Sequence, residues 1–191
     1  MRERICLLLL LLCAYCEAQA QGLGLGHAPS AATLRDADTA IGADGAELPP
    51  GSGSVAAGAA LFVRQCAACH GAHGTEGPDP VLVGGQGSLA GDHPLQTIGS
   101  YWPYATTVFD YIRRAMPFMA PGSLTDDEVY ALTAFLLAAN GIVPQDTVLD
   151  RQRLAALRMP NRDGFMADRR RPAQPGDTAL APSHTRGEKA P

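Results

Sequence analysis

Cys66-Ala67-Ala68-Cys69-His70 places two thiols one helical turn apart, with an imidazole directly after the second. Cys-x-x-Cys-His is the attachment signature of a c-type haem. Geometry explains the spacing. One turn brings both thiols to the two vinyl groups of one porphyrin, and His70 then offers its ring to the iron from the proximal side. Two other chemistries use the same residues. A redox Cys-x-x-Cys needs a βαβ context, and none flanks it here. A zinc site needs a second Cys or His pair at metal spacing, of which His73 and His93 give only a loose version. The haem reading leads.

The cysteine inventory supports it. The 191-residue chain has five cysteines, and Cys6, Cys13 and Cys16 fall near its start. That start is charged (Arg2, Glu3, Arg4), then almost wholly apolar over residues 5–12, then small-x-small at Ala18 and Ala20. This is the pattern of a secretory signal peptide, residues 1–20. The apolar run falls short of the about 20 residues of a membrane span. Lipoprotein processing before Cys16 fits less well, because Tyr15 stands where a small residue is wanted. No later stretch is long and apolar enough to span a bilayer, so a periplasmic protein without a transmembrane segment is expected. Only Cys66 and Cys69 then remain. A disulfide framework would want more pairs, and a lone bridge at this spacing would be strained and labile.

The net charge is −4. Cleavage removes two arginines and two glutamates, which leaves it unchanged. A mildly acidic chain without a basic stripe gives no reason to expect nucleic acid.

Residues 21–53 are rich in Gly, Ala, Pro and Ser, and read as a flexible leader. The domain is expected over 54–141. Ser54 is a candidate N-cap for a helix over Val55–Gln65, in which Gly58 and Phe62 share a face. A helical glycine lowers propensity, so Gly58 points to close approach of another helix. After His70 comes a Gly-rich loop to Pro80, whose carbonyl is the candidate acceptor for the second ring nitrogen of a metal-bound His70. His73 and His93 read as loop histidines. Trp102, in an aromatic stretch from Tyr101 to Tyr104, is a candidate to pack on the porphyrin or bond a propionate, with core packing equally open.

Val108, Phe109, Ile112 and Ala115 recur at helical spacing. Arg113 is a candidate propionate donor, against the common alternative of a solvated Asp110–Arg113 pair. Pro117 forces Met116 out of the helix, on the continuation of its apolar face. A methionine sulfur opposite His suits electron transfer. Met116 is therefore the candidate axial ligand, with Met119 as the alternative and Met159 behind both. Thr125 and Glu128 form a capping box ahead of Val129, Leu132, Phe135 and Leu136, and Asn140-Gly141 stops that helix. Residues 142–166 read as an extension packed on the domain, with helical turns near Arg151, and residues 167–191 as a disordered tail.

The series Gly-x-x-x-Phe, Cys-x-x-Cys-His, Pro-x-Leu-x-Gly, Met-Pro and Leu-Thr-Asp-x-Glu resembles a class I cytochrome c over residues 55–141. The resemblance implies an all-α domain around one covalent haem c, with first and last helices crossing at Gly58, Phe62, Leu132 and Phe135. It also implies His70 and Met116 as axial ligands and Pro80 as the acceptor for His70. The stretch Gly99-Ser-Tyr-Trp-Pro-Tyr104 through Met116-Pro117, with Met159-Pro-Asn-Arg-Asp-Gly-Phe165, is similar to the cytochrome c subunits of bacterial sulfite and sulfane dehydrogenases of sulfur oxidation. In those, a molybdenum subunit oxidises the sulfur compound and passes single electrons to the cytochrome, which hands them to a downstream acceptor. Sulfane dehydrogenase cytochromes often carry a second haem domain. This chain has one Cys-x-x-Cys-His, so sulfite and sulfane partners both stay open. The implied role is an electron-transfer subunit that performs no bond chemistry itself. The alternatives are a free-standing carrier, a haem protein with a labile sixth ligand that binds a small molecule, and a haem-free structural module.

Overall fold

A computed structural model describes residues 26–166. The expected signal peptide and the tail from 167 onward lie outside the described residues. Two compact units divide at Thr39 and Ala40. The first contributes α1, Ala31–Ala37, whose N-cap Ser30 accepts a hydrogen bond from the Thr33 N–H at 3.1 Å. Everything else belongs to the second.

That unit is mostly helical: β1 (Ser52–Ser54), α2 (Val55–Gln65), α3 (Ala67–His70), α4 (Ala105–Ala115), α5 (Asp126–Ala139), β2 (Val148–Asp150) and α6 (Arg151–Ala156), with a 3₁₀ turn at Ser88–Ala90. α5 is the central element. Its N-terminus carries the expected capping box, Thr125 Oγ1 accepting from the Glu128 N–H while the Glu128 carboxylate accepts from the Thr125 N–H. Val129, Tyr130, Leu132, Leu136 and Leu137 are all buried, because α2 and β1 pack on one side of α5 and α4 on another. Phe62 meets Phe135 with ring centroids 5.0 Å apart, and Phe109 meets Tyr130 at 4.5 Å. Phe62, Phe109 and Tyr130 are fully buried, and truncating such a ring costs about 3–5 kcal/mol.

The crossing of α2 and α5 lies at Gly58, as expected. The residues against Gly58 are Ala131 and Phe135, while Leu132 is buried but does not make that closest approach. Small residues on both helices allow the backbones to touch.

The leader reading of 21–53 needs correcting from Ile41 onward. Ile41 and Leu48 are 3% and 2% exposed and belong to the same core as Phe62 and Tyr130. Side chains from three helices hold this strap. Asp110 accepts from the Ile41 N–H at 2.9 Å, Thr106 donates to the Ala43 carbonyl at 3.2 Å, and Arg151 donates to Ala46 O at 2.5 Å. Tyr130 donates to Pro49 O at 2.8 Å, and Asp127 accepts from the Ser52 N–H at 2.7 Å. Composition missed it because two apolar residues suffice when backbone polar groups find fixed partners.

The strap ends in β1, which pairs antiparallel with β2, Gly53 opposite Leu149. A side chain at Gly53 would collide with the backbone of Ala131. Residues 142–166 thus complete the sheet and the core, where Leu149, Leu154 and Met159 are at most 1% exposed. Among the described residues no helix is long and apolar enough to cross a membrane.

Candidate functional site

α2 delivers the motif. Its last turn closes with the Cys66 N–H on Phe62 O at 2.8 Å, and Cys66 then starts the single turn α3. Both Cys69 and His70 donate backbone N–H groups to Cys66 O, at 3.1 and 3.0 Å. This fixes the two sulfurs and the imidazole on one turn. Gly71 reverses the chain at φ +76°, pressed against the backbone of Glu76, so only glycine serves there. The loop folds back, and the Asp79 N–H donates to Cys69 O at 3.1 Å.

His70 Nδ1 lies 2.9 Å from Pro80 O. A carbonyl only accepts, so Nδ1 carries the proton and Nε2 keeps its lone pair for a metal. Met116 ends α4 in extended geometry (φ −122°, ψ 149°), with its N–H on Ile112 O. It is half-buried against the core, whereas Met119 is 90% exposed and Phe118 78%. Met159, the third methionine considered, is buried as core.

The residues fit a covalently attached haem. Cys66, Ala67, Leu82, Trp102 and Met116 are half-buried and each packs against the hydrophobic core. The thiols are not bridged to each other. Burial, then the neighbouring Cys69, pushes the Cys66 thiol up to about 11. The carboxylate of Asp79, by hydrogen bonding first, also pushes Cys69 up. No cluster of three His, Cys, Asp or Glu that could hold an ion exists among the described residues. His73 and His93 are exposed.

Residues 55–140 match the family described as cytochrome c. The chain is 43% identical to a chain in the crystal structure of the sulfane dehydrogenase SoxCD from Paracoccus pantotrophus, covering 88% of this chain and 80% of that one, with a TM-score of 0.70. The chain belongs to the cytochrome c family. No match is found among curated proteins. The cytochrome is thus a haem c electron carrier by family, and it resembles a chain of a sulfane dehydrogenase.

Of the other sequence candidates, Arg113 has a different carboxylate partner from the one considered. Arg113 pairs with Asp126 rather than Asp110, its Nε 3.1 Å from Oδ1, while Arg114 takes Asp110. An i,i+4 pair on α4 reaches where i,i+3 does not, because Asp110 turns inward to the strap. Trp102 packs edge-on against Tyr111 at 5.7 Å. Asn140, read only as a helix stop, is instead a buried hub. Its side chain accepts from the Gly84 N–H and donates to Leu82 O and Leu136 O. The sequence signal was weak: an Asn before Gly at a helix end usually serves the turn alone.

Proposed function

We propose that this protein is the periplasmic electron-accepting subunit of a sulfur-compound dehydrogenase, receiving single electrons from a molybdenum subunit and passing them to a downstream carrier. The observation that carries the reading is the 43% identity, over most of both chains, to a chain of a sulfane dehydrogenase. It favours sulfane over sulfite as the substrate of the partner.

When bound, the haem supplies a one-electron iron couple. The chain's own residues hold and tune it. Cys66 and Cys69 provide two covalent anchors, and His70 provides the proximal nitrogen with its ring oriented by Pro80. Met116, at the end of α4, would supply the second axial ligand, a thioether, to a bound haem. A thioether on that side raises the potential relative to a second imidazole and suits acceptance of electrons. Catalysis then belongs to the partner.

Gentle purification of the mature protein from its native periplasm tests this. A molybdenum subunit should co-purify, and a sulfane-sulfur substrate should reduce the haem promptly, with sulfite ineffective. Reduction by sulfite alone would transfer the protein to the sulfite system. Reduction by neither, with no partner, would leave a free-standing carrier.

A further inference from the structure

We propose that Asn140 is a positioning residue for His70, acting through residues 80–84; this rests on the reading of His70 as the proximal haem ligand. Asn140 caps the C-terminus of α5 and is 6% exposed. Its Oδ1 accepts from the Gly84 N–H at 3.0 Å. Its Nδ2 donates to Leu82 O at 3.1 Å and to Leu136 O, one turn back on α5, at 2.8 Å. Only this orientation of the amide gives the N–H an acceptor and both carbonyls a donor. The backbone carbonyl of Asn140 takes a fourth bond, from Gln86 Nε2 at 2.8 Å. One residue thereby ties the end of α5 to three successive points of the segment that follows Pro80.

That segment controls the acceptor of His70. The Leu82 and Val83 N–H groups both donate to Gly74 O, at 2.8 and 3.1 Å, which closes the loop back toward the motif. Pro80 lies two residues before Leu82. A proline has a fixed φ, so pinning the chain just beyond it sets where its carbonyl points. The carbonyl points at His70 Nδ1. From the far side, Thr97 Oγ1 donates to Gly84 O at 2.5 Å, and Gly99 packs so close to the Asn140 amide that a β-carbon there would overlap it.

The two halves of the His70–Pro80 bond therefore come from the two crossing helices. α2 carries the imidazole through Cys66, and α5 carries the carbonyl through Asn140. A hydrogen bond from Nδ1 makes the imidazole more basic. A more basic ligand favours the oxidised iron and lowers the midpoint potential. Loosening the segment weakens that bond and raises the potential.

The test uses the full-length mature holoprotein and three variants. Asn140→Leu removes the whole side-chain network, and Asn140→Ser leaves a hydroxyl and space for a bridging water. Leu149→Ala lowers stability through β2 and serves as the control. NMR of the reduced protein reads solvent exchange of the His70 Nδ1 proton, and redox titration reads the midpoint potential. Asn140→Leu should speed exchange at least tenfold and raise the potential. Asn140→Ser should fall between it and the native protein, and keeps the test usable where the leucine variant does not fold. Leu149→Ala should move neither readout. Native exchange and potential in the Asn140 variants, or equal shifts in Leu149→Ala, would overturn the proposal. A native protein without covalent haem or without His70 on the iron would instead overturn the haem reading beneath it.

Discussion

Gly58 of α2 lies directly against the Ala131 carbonyl of α5, with no room for a β-carbon between the two backbones. The oxygen belongs to rigid helical backbone, so a side chain at 58 must push the helices apart. Phe62 and Phe135, one turn further along, would lose their contact at the same time. We expect Gly58→Ala to destabilise the fold by about 1–3 kcal/mol, although alanine is the better helix former. Denaturant titration measures this. A loss under about 0.5 kcal/mol, typical of a surface change, would show that the crossing is loose.

This glycine was legible from sequence because a helix-weakening residue needs a compensating reason, and close approach is the usual one. The haem motif, the capping box at Thr125 and the end of α4 at Met116 were legible for similar reasons: each is a local rule with a short range. The strap was not. Ile41 and Leu48 sit in a Gly- and Ala-rich stretch, and what holds them comes from Asp110, Tyr130 and Asp127, about 70 to 80 positions away. Asn140 was hidden in the same way. Its partners lie on a loop more than fifty residues earlier, and no periodicity reports such a bond.

Tyr130 tests the strap. Its ring is fully buried beside Phe109, and its hydroxyl donates to Pro49 O at 2.8 Å. Burial, then the negative Asp126, pushes the phenol up, so it remains a donor across neutral pH. Tyr130→Phe keeps the ring and removes the bond. The expected loss is about 0.5–1.5 kcal/mol, read by thermal or denaturant unfolding. Protease sensitivity between residues 40 and 50 should rise with it. Unchanged stability and unchanged cleavage would mean the strap is held by its apolar residues alone.

Asp110 gives the strap a pH dependence. Burial alone would raise its pKa, but the Arg114 hydrogen bond, the Ile41 N–H and the charges of Arg114 and Arg113 together hold it below the usual carboxylate value of 3.8. A depressed folded-state pKa contributes stability that is full above the unfolded value and is lost as pH falls through the folded one. The window lies below about pH 4. Asp110→Asn keeps an acceptor for Ile41 and removes the titration. The melting temperatures of the two proteins should differ most near neutral pH and converge as pH drops below that window. A constant difference at all pH values would show that Asp110 acts only through its hydrogen bonds.

Met116 and Met119 stand three residues apart, and the structure gives them opposite surroundings. Met116 leaves α4 on its buried face, its N–H still bonded to Ile112 O, and packs on the same core as Cys66 and Leu82. Met119 is 90% exposed next to Phe118. Met119 has no packing that holds it in place, whereas Met116 continues α4 and packs on the core. We therefore expect Met116→Ala to abolish the methionine-to-ferric-iron charge-transfer band and to lower the midpoint potential, because the sixth position would pass to water or a stray nitrogen. Met119→Ala should leave both unchanged. Far-red absorbance of the oxidised protein and a redox titration read the two variants side by side. Loss of the band in Met119→Ala with its retention in Met116→Ala would reverse the assignment.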